Sequence, residues 1–269
     1  MNLQKYFSIA KISIQSEFAY RLNFVMWRVR NVVQILLMFF LWTTVFFNPD
    51  TVLFGYDQGK IITYVFGVLV VRAIVTSTRV MELAVDINRG DLSNFLLKPI
   101  GVFRYYFARD AASKVLNLSF AVIEIGILIL IFRPEILIQQ NIVLVLLFIY
   151  SLIVSVILFF ELALLTGMIP FWMPEAGWSA QFLFMVIIVE FLSGGVFPLD
   201  VFPKLIVNVL HASPFPYLIF FPLQVYLGKL TMTAVVGGGI VSTVWAVILY
   251  FLIKNFWNKG IVRYSSEGR

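Results

Sequence analysis

Of 269 residues, 61% are apolar and 17% aromatic, and a mean hydropathy of +0.95 excludes an ordinary water-soluble domain. There is no cysteine and only one histidine, His211, which excludes disulfides, thiolate metal sites and a multi-histidine metal centre within one chain. The net charge of +6 comes from Lys and Arg set between apolar runs, not gathered on one face, so the basic balance reflects membrane topology and not nucleic acid.

The first segment, residues 1–28, lacks the continuous apolar core of a cleavable signal, because Lys5, Lys11, Glu17 and Arg21 are spread through it; it is expected to be retained. Leu3, Phe7, Ala10, Ile14 and Phe18 recur every three or four residues, with Lys5, Ser8, Lys11 and Gln15 between them. That spacing predicts an amphipathic helix, either lying on the membrane surface or packed on the rest of the protein.

Six later segments are apolar over the ~20 residues that a ~30 Å hydrocarbon core requires. They are Val29 to Phe47, Ile61 to Val80, Val115 to Phe132, Ile142 to Ile169, Trp178 to Phe197 and Met232 to Ile253. Positive residues favour the cytoplasmic side. With both termini placed there, that side gathers Lys5, Lys11, Arg21, Arg28 and Arg30, then Arg79, Arg89, Lys98, Arg104, Arg109 and Lys114, and finally Lys254, Lys259, Arg263 and Arg269. The outer side keeps Lys60, Arg133, Lys204 and Lys229.

Two connections are longer than neighbouring helices need. Residues 81–114 are polar and cytoplasmic; their acids Glu82, Asp86 and Asp91 alternate with Arg79 and Arg89 and read as a solvated helix face, not a metal site. Residues 193–230 stay apolar but are broken by Gly194, Gly195, Pro198, Pro203, Pro214, Pro216, Pro222 and Gly228. Such a segment predicts short helices that enter the outer leaflet and turn back, with their broken backbone buried by protein. Asn208 and His211 fall there, His211 being expected as a hydrogen-bonded interfacial residue and not a ligand or proton relay.

Within the spans, Arg72, Glu124 and Glu190 are charges that must face protein or water. Similar depths on consecutive antiparallel helices predict an Arg72–Glu124 ion pair, with direct contact to substrate as the alternative. Glu161, near the inner end of the fourth span, is expected to reach water. Gly237, Gly238 and Gly239 with Ser242 open the last helix with residues small enough for close helix contact.

A phosphate-cradling loop is missing: Gly59-Lys60 and Gly228-Lys229 are followed by Ile61 and Leu230 and lack the upstream glycine. ATP hydrolysis is therefore expected on another polypeptide. No cluster of carboxylates or histidines suggests metal or acyl chemistry, and the chain is expected not to be an enzyme.

The run Asp86-Ile87-Asn88-Arg89-Gly90-Asp91-Leu92 followed by Leu96-Leu97-Lys98-Pro99 resembles the permeases of type-2 ATP-binding cassette exporters. So do Gly194-Gly195-Val196-Phe197-Pro198-Leu199, Phe202-Pro203, Pro214-Phe215 and Pro222, and the likeness to a bacterial six-helix subgroup covers essentially the whole chain. It implies an all-α integral membrane protein: six transmembrane helices, an N-terminal amphipathic helix, a cytoplasmic coupling helix within Ala84 to Leu97, and an outer re-entrant hairpin within Ser193 to Leu230. In the coupling element, Gly90 would permit a left-handed turn and Asp91 would cap the next helix. Leu92, Phe95 and Leu96 would be apolar anchors, rimmed by Arg89 and Asp91, for a soluble partner.

The implied assembly pairs this permease with itself or a related one in a bacterial cytoplasmic membrane, with two copies of a separate ATPase carrying ATP and Mg and no cofactor in this chain. Apolar walls with few charges favour amphipathic or lipid-like cargo. A membrane-embedded lipid-processing enzyme and an ATP-independent carrier or channel stay open as alternatives.

Overall fold

The computed structural model describes residues 3–19, 21–48, 50–99 and 101–264, with the side chains of residues 3, 4, 17–19, 21 and 23 excepted. The side chains of Leu3, Glu17, Phe18 and Arg21, and all of Arg269, therefore lie outside the described residues. Those residues contain eleven α-helices, short 3-10 turns, one π-helical segment and no strand. The helices are α1 (Leu3–Ala19), α2 (Arg21–Val45), α3 (Gln58–Val75), α4 (Glu82–Asn88), α5 (Leu92–Leu96), α6 (Val102–Phe132), α7 (Ile142–Gly167), α8 (Gly177–Leu183), α9 (Lys204–His211), α10 (Phe220–Tyr226) and α11 (Met232–Arg263). The π-helical segment Phe184–Leu192 continues α8.

Six of these elements are long and apolar enough to cross a membrane: α2 from Phe24, α3, α6, α7 with its 3-10 extension to Phe171, α8 with the π segment, and α11. The protein is an all-α, multi-pass membrane protein. Helices suit this environment because their backbone groups are satisfied within one segment, where lipid offers no partner. Side chains start the spans cleanly: Asp57 accepts from the Lys60 amide at 2.7 Å before α3, and Asn141 accepts from the Val143 amide at 3.0 Å before α7. At the end of α6, Arg133 takes a left-handed conformation and Pro134 follows, so the helix cannot continue.

The spans are unequal in role. In α3, 61% of the spanning window is buried, against 11% in α2, which makes α3 the axis of the bundle and α2 a peripheral helix. Leu37 on α2, Leu130 and Ile131 on α6 and Phe251 on α11 are among many large exposed apolar side chains. In water they would form patches that soluble proteins avoid; against acyl chains they cost nothing. α1 packs along α6 with Ser13 buried, while Phe7 and Ile12 stand exposed, so the helix has a protein side and an apolar free side.

Several expected boundaries move, each for a local reason. α3 stops at Val75, not Val80, where Lys114 Nζ caps its last carbonyl, donating to Val75 O at 3.0 Å and also to Ser77 O just beyond the helix at 2.6 Å. α6 begins at Val102, so much of the supposed loop 81–114 is helix, and the Asp110–Lys114 pair at 3.1 Å sits on it. The fifth span ends at Leu192, not Phe197, because Gly194 turns the chain with φ +80°. The sixth runs on to Arg263, and α2 begins at Arg21, not Val29, so Arg28 joins Arg30 within the first spanning helix. Glu161 does not reach water: it is buried, and its Oε2 has no hydrogen-bond partner.

Residues 193–230 form a hairpin of α9 and α10 that folds back into the bundle. Ser155 Oγ donates to Tyr217 O at 2.6 Å and Trp245 Nε1 donates to Ala212 O at 3.0 Å. Ser155 lies thirteen residues along α7 and Trp245 thirteen along α11, so the hairpin's tip sits ~20 Å below the starts of both helices. α10 is buried between α7 and α3. It packs so closely on α11 that a Cβ at Gly238 would lie 2.3 Å from the Phe221 ring.

Candidate functional site

The polar connection after α3 becomes an elbow of two short helices, α4 and α5, joined at Gly90 with φ +80°. A glycine is needed at that turn because a Cβ disfavours the left-handed region. Asp91 does not cap α5; its backbone is already helical, and Ser93 closes the turn instead, its Oγ donating to Gly90 O at 2.7 Å. Asn88 Nδ2 donates to Pro174 O at 3.1 Å, and the Ser93 amide donates to Tyr264 Oη at 3.1 Å. The elbow is thus pinned to the start of the fifth span and to the end of α11.

The anchors differ from expectation. Leu92 and Ile87 are fully committed to the protein's own core, and Phe95 is half-buried against Tyr105, with ring centroids 4.7 Å apart. Leu96 and Leu97 are the exposed apolar pair, Leu97 at 86%, with Arg89, Asp91 and Lys98 exposed around them. Asp86 faces inward and accepts from the Tyr106 hydroxyl. Burial pushes its carboxyl up from the usual range, and the Tyr106 hydrogen bond opposes that shift. Glu82 joins α4 to α6, pairing with Arg109 at 2.6 Å and with Arg79 at 2.8 Å.

The intramembrane charges form two clusters, and Arg72 and Glu124 are not partners. Glu124 takes a two-pronged pair from Arg28, Nε to Oε1 and NH2 to Oε2, both at 2.6 Å, while Arg28 NH1 donates to Asn117 at 2.9 Å. Arg72 pairs with Glu190 on the π segment and also donates to Gln34 at 3.0 Å and Gly195 O at 2.9 Å. Arg30 adds a second cation to Glu190 at 2.9 Å, and Gln34 Nε2 a further bond at 3.0 Å. Lys114 caps the end of α3, three residues past Arg72, whereas Glu124 lies ten residues beyond Lys114; at 1.5 Å per residue the two differ by about 10 Å in depth. The misplaced end of the second span caused the error.

Beside Arg72 lies a cleft with about 20 Å³ of free volume, bounded by Asn31, Gln34, Ile35, Met38 and Leu69. That is room for about one water. Arg72 Nε, which has no hydrogen-bond partner, is the donor such a water would satisfy.

At the opposite end of the bundle from the elbow, a knot invisible in the sequence ties the hairpin down. Asp200 accepts from Tyr56 Oη at 2.8 Å, Gln224 Nε2 at 3.0 Å and Lys229 Nζ at 2.9 Å, and the Lys229 ammonium sits 3.0 Å from the Tyr56 ring centroid. Burial raises the Tyr56 phenol and lowers the Lys229 ammonium, Asp200 opposing the second shift.

Of the hairpin residues singled out in the sequence, Gly194 and Gly195 touch a functional cluster: Tyr64 Oη donates to Gly194 O at 2.6 Å, and Gly195 O receives Arg72. Pro198 and Pro203 bracket the 3-10 turn Leu199–Val201, and Pro214 is buried in the turn after α9. The His211 ring stands 6.3 Å from the Phe220 ring, and among the described residues its nitrogens have no hydrogen-bond partner; the bond recorded there is from Tyr217 Oη to the His211 carbonyl at 2.9 Å. Sequence reasoning missed Arg28, Arg30 and Gln34 as partners; polar residues recurring two and four positions apart at the start of an apolar run were the available signal.

The family model described as an ABC-2 family transporter protein matches residues 32–268. No individual curated protein matches the chain. The match takes in all six spans but the first residues of α2, together with the elbow and the hairpin, and on that basis the chain belongs to the ABC-2 transporter family.

Proposed function

We propose that this chain is the permease subunit of an ATP-binding cassette exporter, working as a homo- or heterodimer on which two copies of a separate ATPase dock. The observation that carries the reading is the exposed Leu96–Leu97 pair at the tip of the α4–α5 elbow, ringed by Arg89, Asp91 and Lys98. An apolar centre with a charged rim suits a groove on a soluble protein. The elbow is braced on the fifth span through Asn88 and on α11 through Ser93, so force applied at its tip reaches two spanning helices without a flexible joint. Both termini and the elbow would be cytoplasmic, in agreement with the distribution of Lys and Arg. ATP and Mg would be held by the ATPase alone.

The test is Leu97→Asp, which alters a side chain that is 86% exposed. Retention of the ATPase on the purified permease should fall at least tenfold, with membrane abundance near that of the parent. Full retention and full cargo-stimulated ATP hydrolysis would remove the elbow as the docking element.

A further inference from the structure

α9 descends toward the middle of the bundle with a divided surface. At ~100° per residue, Lys204, Asn208 and His211 fall within about 60° of one another on one face. Leu205, Ile206 and Val209 form the adjoining face, and Leu210 is turned into the protein. All three polar side chains are exposed, and no hydrogen bond or ion pair engages them among the described residues. The helix starts beside the Asp200–Lys229 knot and ends one residue before Ala212, whose carbonyl meets Trp245. Trp245 is central in the apolar part of α11, between Met232 and Lys254.

An amide and an imidazole left unpaired at that depth cannot face acyl chains without a cost of several kcal/mol. The apolar face of Leu205 and Val209 meets no such objection. We infer that the Lys204–Asn208–His211 stripe lines a water-filled path reaching from the far surface toward the bilayer middle, and that it receives the hydrated, negatively charged group of an amphipathic cargo. The sign of the charge follows from what is free. Lys204 is an unpaired cation and the stripe itself carries no carboxylate; Asp200, whose charge reaches His211, is already engaged by Lys229, Tyr56 and Gln224.

This inference rests on the transport reading but not on ATPase docking, which Leu97→Asp examines separately, so either can fail alone. The chain has no cysteine, so single cysteines report without background. Lys204→Cys, Asn208→Cys and His211→Cys, with Leu205→Cys and Val209→Cys as controls, are to be labelled in sealed vesicles with membrane-impermeant thiosulfonates. The three stripe positions should react at least tenfold faster than the two controls. Equal slow rates would place the stripe in lipid, and a disulfide between two copies at Asn208→Cys with no labelling would make it a contact between permeases; either result overturns the inference. For charge, the rate of an anionic reagent over that of a cationic one at Asn208→Cys, each normalised to a free thiol, should fall about threefold when Lys204→Gln is added, as expected for one unit charge a helical turn away. An unchanged ratio would overturn the anion preference.

Discussion

The two intramembrane charge clusters are built from the same residue types and do different work. Arg28 and Glu124 form a closed, neutral unit: one cation, one carboxylate, both guanidinium prongs used and Asn117 on the remaining nitrogen. It joins α2 to α6 and leaves nothing over. Around Glu190, two cations share one carboxylate, so the cluster carries an excess positive charge beside an open cleft. Its parts come from α2, α3, the π segment and the turn after it. A nine-residue π-helical run is unusual, and π geometry inside helices occurs mostly at functional sites. The first cluster is a staple, and the second is suited to rearrangement.

The comparison is broken most directly at the staple. Arg28→Ala leaves Glu124 buried without a cation and should lower stability by about 3 kcal/mol or more, read as thermal unfolding in detergent. Adding Glu124→Ala should recover much of the loss, whereas Arg72→Ala and Glu124→Ala should simply add, because those residues sit in separate clusters. Coupling between Arg72 and Glu124 would mean that the helices meet differently. A smaller effect belongs to Glu190→Gln. Arg72 keeps Gln34 and the Gly195 carbonyl there, so the loss should stay within about 1–3 kcal/mol, with transport reduced more than abundance. A stability loss as large as that of Arg28→Ala would erase the distinction between the clusters.

What could be read in the sequence was set by the length scale of each signal. Six spans follow from runs of about twenty apolar residues, and no single residue decides them. The pairing of Arg72 depended on where α3 ends, an uncertainty of a turn, which at 1.5 Å per residue is enough to exchange one partner for another. Gly90 was legible because a left-handed turn selects glycine from local sterics alone. Leu92 and Leu97 were not distinguishable, since both are leucines in one short polar connection and only the packing of α5 against Tyr264 and α6 separates the buried one from the exposed one. The Tyr56–Asp200–Gln224–Lys229 knot joins residues up to 173 positions apart, with no periodicity to announce it.

The smallest expected effect sharpens the comparison further. Arg30 contacts Glu190 at 2.9 Å, but its side chain is 47% exposed, against 14% for Arg72. An exposed ion pair is weakened by its surroundings and by the entropy of holding a long side chain, and contributes at most about 1 kcal/mol. Arg30→Gln should therefore leave the unfolding temperature nearly unchanged, while Arg72→Gln, which strips the buried cation from Glu190, should lower it clearly. The substitution at Arg30 also removes the excess charge and leaves Arg72 and Glu190 as a neutral pair, as at the staple. Transport should then fall while stability holds, because the feature distinguishing the second cluster from the first is gone. If Arg30→Gln instead destabilises the protein as much as Arg72→Gln, Arg30 is buried in the working assembly, and the second cluster is a staple as well.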